Sequence, residues 1–226
     1  MTKLISLFVA VLVLAAGMAM AGPSLLSTSG SLLTPDDSVL PAAGFSANVS
    51  GVSLDGGTPI VIGANMGVDG GLEFGLANFD SNLIFNVKFQ AMTETASRPS
   101  LMFGAVDLTG AVDPAGNGGF YALIGKNLTS VATGLTQRPS APLHGYLGFG
   151  SGIYNGLFGA LSWQLSPNLK IMGEYVNQLD IKGAATQKSL FNAGATYKFN
   201  KVLSGSLAFI DLSDLAYGVS YCKAIE

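Results

Sequence analysis

The chain has 226 residues, of which 49% are hydrophobic and only 11% charged, with 30 glycines, 11 basic against 14 acidic residues, and a net charge of −3. That balance argues against a nucleic-acid binder, and a single cysteine, Cys222, excludes an internal disulfide. The charge is also too sparse for the outer faces of a secreted β-sandwich, which would carry more Lys and Glu.

The first 21 residues read as a cleavable signal peptide. Lys3 opens it, Leu4 to Ala16 form an apolar run too short to span a bilayer as a helix, and Ala19-Met20-Ala21 give the small-x-small pattern before Gly22. Loss of this segment removes Lys3 and leaves 10 basic against 14 acidic residues, a net charge of −4. The mature chain is therefore expected to leave the cytoplasm. Residues 22–43 follow as a leader rich in Ser, Leu and Pro without a strong period, read as a periplasmic segment.

From residue 44 to 226, apolar and polar residues alternate in stretches separated by Gly, Asn, Asp, Pro and Ser. Leu83, Phe85, Val87 and Phe89 take one side of such a stretch while Asn86, Lys88 and Gln90 take the other. A period of two is a strand with different surroundings on its two faces. Candidate strands fall near 44–53, 59–67, 71–79, 82–92, 100–109, 118–128, 142–151, 156–165, 168–177, 189–199, 202–211 and 215–223. An apolar face on every strand, high glycine and few charges predict an all-β fold, a transmembrane antiparallel β-barrel of about 12 strands. Its expected setting is the outer membrane of a diderm bacterium, in contact with membrane lipid.

Turn lengths orient the barrel. With the leader in the periplasm, connections after even strands should be short, and Val68-Asp69-Gly70, Ser166-Pro167-Asn168 and Asn200-Lys201 obey this. Ser81 is too tight for an outer loop and Thr129 to Pro142 too long for a periplasmic turn, so the strand count carries a margin of two.

Charge facing lipid at the bilayer midplane costs roughly 2–4 kcal/mol for Arg or Lys. Lys88, Lys126, Lys170 and Lys198 are therefore expected to point into the lumen, with Glu73, Asp107 and Glu174 as partners. Four lysines against three carboxylates give no strong field of one sign, which suits ion-paired filling or a neutral sugar.

Several stretches resemble the YjbH-like outer-membrane β-barrel family associated with exopolysaccharide export. They are LLTPDDSVLPAAGFSANVSG (32–51), VKFQ (87–90), RPSLMFGAVDLTG (98–110), FYALIGKNL (120–128), LHGYLGFGSG (143–152) and LKIMGEYVN (169–177). The resemblance implies lumenal charges at Asp107, Lys126 and Glu174, with polysaccharide and export-machinery proteins as partners. Larger members carry a second barrel-like half that this chain lacks.

Three function classes follow: a barrel that assists envelope glycan export or forms a narrow, porin-like channel, a structural or partner-binding barrel with a filled lumen, and a secreted soluble β protein. About 12 strands enclose a bore only modestly wider than the eight-strand case that side chains fill, so an open channel is not favoured. An enzyme is not expected. His144 is the single histidine, has no Ser two positions on, and reads as a hydrogen-bonded lumenal residue. No cofactor and no metal is expected, since the carboxylates show none of the spacings metals require. Gly116-Asn117-Gly118-Gly119 is a turn, lacking the Lys-Ser/Thr and helix of a phosphate loop.

Overall fold

The computed structural model describes residues 22–24, 28–53, 57–129, 142–182 and 186–224. The signal peptide inferred at residues 1–21 lies outside them. The described residues form twelve strands: β1 (Phe45–Val52), β2 (Ile60–Val68), β3 (Leu72–Phe79), β4 (Asn82–Met92), β5 (Ser100–Val106) and β6 (Gly119–Asn127). The second half adds β7 (Leu143–Gly150), β8 (Gly156–Gln164), β9 (Leu169–Leu179), β10 (Gln187–Lys198), β11 (Leu203–Ile210) and β12 (Asp214–Lys223). Each pairs antiparallel with its sequence neighbours, and β1 pairs with β12 from Phe45↔Lys223 to Val52↔Ala216, closing the barrel.

The tight connection at Asp80-Ser81 has a simple physical basis. Both residues adopt positive φ, 45° and 71°, the pattern of a two-residue hairpin turn whose twist matches the flanking strands.

Side chains alternate across the wall as the sequence period requires. Phe45, Val49, Leu76, Phe89, Leu147, Leu161, Trp163 and Phe191 are exposed on the outside, whereas Ser46, Asn48, Glu73, Asn86, Lys88 and Glu174 are buried inside. Outward aromatic residues gather toward both ends of the wall. Phe45, Phe89, Trp163, Tyr197, Phe199 and Tyr221 lie at the end carrying the chain termini, and Phe120, Phe149, Phe191 and Phe209 at the distal end. A nine-residue strand rising about 3.3 Å per residue and tilted by roughly 40° covers about 23 Å, close to the ~25 Å apolar band of membrane barrels. Among the described residues no helix is long and apolar enough to cross a membrane. The strands are the membrane-spanning elements.

The interior divides into two halves. Toward the distal end it is an apolar core that includes Val61, Phe79, Ile84, Tyr121, Phe158, Leu190 and Ile210. The distal loops complete it: Val112, Ile153, Tyr154 and Ile181 are buried there, and Lys182 N–H donates to Val112 O at 2.7 Å while Asp180 N–H donates to Ile153 O at 3.0 Å. Toward the terminal end the wall is polar and is filled by the leader.

Candidate functional site: the plugged lumen

The leader enters the barrel. The sequence suggested a periplasmic segment for residues 22–43; instead Ser29, Leu32, Leu33, Thr34 and Leu40 are each at most 1% exposed, enclosed by the wall. The correction has a physical reason. Turns without regular structure leave backbone N–H groups that need acceptors when buried, and the lumenal carboxylates supply them.

Glu174, on β9, accepts from the backbone N–H groups of Leu32 (3.3 Å), Leu33 (3.1 Å) and Thr34 (3.0 Å) and from the Thr34 hydroxyl (2.7 Å). Asn192 Nδ2, from β10, donates to it at 2.9 Å and fixes its position. Glu73, on β3, accepts from Ser29 N–H at 3.0 Å, from the Ser29 hydroxyl and from Leu40 N–H at 2.8 Å. Two carboxylates thus hold both limbs of the leader. Tyr154 Oη donates to Leu33 O at 2.7 Å, and Tyr146 Oη lies 2.7 Å from Thr34 Oγ1.

Lys88 is 2% exposed, donates to Ser29 O at 2.7 Å and pairs with Asp36 at 3.2 Å. It stands opposite Glu73 in the β3–β4 register, yet its ion-pair partner is a leader residue, which the sequence pattern of the barrel could not reveal. Burial alone would raise the Asp36 pKa, but the Lys88 ammonium, the Ser38 hydrogen bonds and the positive charge of Lys170 outweigh it and hold the carboxyl below its ordinary value.

The remaining lysines divide. Lys170 and Lys198 face a small polar recess of about 70 Å³ beside Gln164, Thr196, Ser204 and Ser220. It has room for a few waters and none for a sugar ring. Lys126 departs from the expected register: Phe120 and Ile124, on its parity of β6, face outward, while Tyr121 and Leu123 face in. It is accommodated because it sits at the terminal rim, where its ammonium donates to Ala96 O at 3.1 Å and pairs with Glu94 at 3.4 Å, away from the midplane.

Asp107 is fully buried and, among the described residues, pairs with no lysine. It lies just past β5 with φ of 53°, receiving hydrogen bonds from Thr109 Oγ1 (2.6 Å) and from the N–H groups of Ala111 (3.0 Å), Val112 (2.8 Å) and Asp113 (2.9 Å). Its role is to shape the loop that covers the distal mouth. The seven expected lumenal charges therefore do not form one network: Glu73, Lys88 and Glu174 hold the leader, Lys170 and Lys198 border the recess, and Asp107 and Lys126 organise loops at opposite ends.

His144, on β7, points inward at the terminal rim, with Nε2 2.6 Å from Asp37 Oδ1. Ser100 donates to the other oxygen of Asp37. These three residue types also occur in hydrolytic triads, but here the carboxylate stands between serine and imidazole, so the imidazole cannot take the serine proton.

Neither a protein-family model nor a curated protein matches this sequence. Solved structures of outer-membrane proteins are similar to this chain. The chain is similar to the KdgM porin, with a TM-score of 0.51 and 12% identity over 80% of this chain and 99% of that one. The NanC porin follows with a TM-score of 0.48 and 6% identity, covering 80% of this chain and 100% of that chain. An outer membrane channel from Pseudomonas putida F1 gives a TM-score of 0.41 and 12% identity, covering 86% and 100%. At these identities the likeness to the KdgM porin shows the fold, that of an outer-membrane porin barrel.

Proposed function

We propose that this protein is an outer-membrane barrel of porin architecture kept shut by its own leader, acting as a structural or partner-binding wall element with a filled lumen. The observation that carries this reading is the docking of residues 28–40 onto Glu73, Lys88 and Glu174, below an apolar core that fills the distal half. A hydrated channel needs a continuous polar path, and among the described residues the distal half is apolar and the terminal half is occupied by the leader. No chemistry on a substrate is assigned to it: Glu73 and Glu174 are occupied by the leader's N–H groups, and the carboxylate between Ser100 and His144 keeps imidazole from serine.

The resemblance to YjbH-like barrels supports a place in envelope glycan export. With the lumen filled, that contribution would come through binding export-machinery proteins, not through passage of the glycan along the barrel axis. Reconstitution of the mature chain in planar bilayers tests the reading. It should give no steady conductance, while deletion of the gene in its host should alter surface polysaccharide. Sustained ion flow through the intact chain would overturn the filled-lumen reading, and unchanged polysaccharide would overturn the export role.

A further inference from the structure

At the terminal rim, Asp37 of the leader, Glu94 of the β4–β5 connection and His144 of β7 converge, one donor atom from each lying within 4.8 Å of the others. The three are 57 and 50 residues apart in sequence, so no ligand spacing announces them. Each is already oriented. Asp37 is held by Ser100, and Glu94 Oε1 accepts from Asn127 N–H at 2.9 Å and pairs with Lys126. His144 presents Nε2 to the carboxylate side.

We propose that Asp37, Glu94 and His144 form a binding site for a divalent transition metal of the zinc class, which fastens the leader to the barrel wall. One imidazole and two carboxylates make a donor set of intermediate softness, suited to zinc-like ions and poorly matched to magnesium or calcium, which prefer oxygen alone. The geometry is near enough to close. Donors about 2.0–2.1 Å from a tetrahedral zinc sit roughly 3.3 Å from one another, so Asp37 and His144, now 2.6 Å apart, must part by under about 1 Å. Glu94, half-buried in the β4–β5 connection, must approach by at most about 1.5 Å. Three protein ligands leave a fourth position for water. The Ser100 hydroxyl and the Asn127 N–H supply the outer hydrogen bonds that ligating carboxylates require. The Lys126 ammonium, 3.4 Å from Glu94, opposes a second positive charge and sets the affinity below that of a closed structural site.

The consequence concerns the leader. The ion would tie residue 37 to two separate parts of the wall at the point where the leader turns back toward β1, in addition to the hydrogen bonds deeper in the lumen. Because the site depends on the leader being docked, binding and docking reinforce each other.

Zinc titration of the folded mature chain in detergent, read by competition with a chelating dye, tests the site. A Cys222→Ser background removes the one thiol that could bind zinc elsewhere. The expected result is one saturable zinc per chain, a rise in unfolding temperature on zinc addition that magnesium does not give, and at least tenfold weaker binding in Glu94→Gln and His144→Ala. Glu94→Gln, in an exposed connection, keeps the test decisive should His144→Ala fail to fold. Absence of saturable binding, or binding unchanged in Glu94→Gln, would overturn the proposal.

Discussion

Removing the Glu174 carboxylate should release the leader. In Glu174→Ala the N–H groups of Leu32, Leu33 and Thr34, and the Thr34 hydroxyl, lose their shared acceptor inside the barrel. A buried donor left without a partner costs about 1–3 kcal/mol. Three backbone donors at the lower figure already weaken docking by about 3 kcal/mol, more than a hundredfold in the docked-to-released ratio at 1.4 kcal/mol per tenfold. Leu33, 1% exposed in the docked leader, makes a suitable reporter. With Leu33→Cys as the sole cysteine, after Cys222→Ser, labelling by a membrane-impermeant maleimide should be slow in the parent and about a hundredfold or more faster with Glu174→Ala. Glu174→Gln, which keeps a carbonyl acceptor, should fall between them. Heat-modifiable migration on a gel confirms that the barrel itself stays closed. If Glu174→Ala leaves a closed barrel and labels no faster than the parent, the leader is not held by this carboxylate and the reasoning fails.

Further expectations concern the rest of the interior. Lys88→Met strands Asp36 without its partner and should cost about 3–5 kcal/mol in urea unfolding, with part of the loss recovered by adding Asp36→Asn; an unchanged midpoint would show the pair to be idle. Asp36 should titrate below 3.8 by carbon-detected NMR, so its contribution to stability is present above about pH 4 and fades as pH falls through the lowered folded value; a midpoint above 3.8 contradicts the Lys88 assignment. Phe158→Ala, at a fully buried ring packed against Tyr121 and Tyr154, should cost about 3–5 kcal/mol, whereas Phe149→Ala on the outer face, 64% exposed, should change the unfolding midpoint far less. Gly67→Ala would place a methyl 2.1 Å from Pro41 O and Gly125→Ala one 2.1 Å from Asp37 Oδ2, so both should loosen the leader and speed Leu33→Cys labelling, and a rate equal to the parent's would mean the rim is not packed as described.

The wall was legible in the sequence because its cause is local. A period of two and a lipid exterior determine which way Leu83 or Lys88 points, whatever lies far away in the chain. Lys126 shows where that logic ends. The cost of exposing charge falls toward the membrane rim, so parity and not polarity decided its direction, and nearby carbonyls made the outcome tolerable. The leader was less readable because its contacts are not periodic. Thr34 meets Glu174 and Asp37 meets His144 across more than a hundred residues, and nothing in either neighbourhood specifies the other. The abundance of Ser and Thr in residues 22–43 was the available signal: side chains that bond irregular backbone are what an enclosed, turn-rich segment needs.

The β1–β12 seam bears on how this molecule comes into being. Eleven of its twelve strand pairings join chain neighbours and can form hairpin by hairpin, while the seam joins Phe45 to Lys223 and spans nearly the whole sequence. Its loop-closure entropy makes it the late, slow step. The leader is attached directly to β1, so its position at that moment is tied to the same event. A sheet that curls with the leader already on its concave side closes around a finished interior; one that closes first must admit the leader through the terminal mouth and dry each N–H group before a carboxylate receives it. Pairing Ser29 and Thr34 with Glu73 and Glu174 while the sheet is still open avoids that barrier. The leader is thus positioned to act as a template for closure as well as its filling, and variants that weaken docking should slow barrel formation before they alter the finished fold.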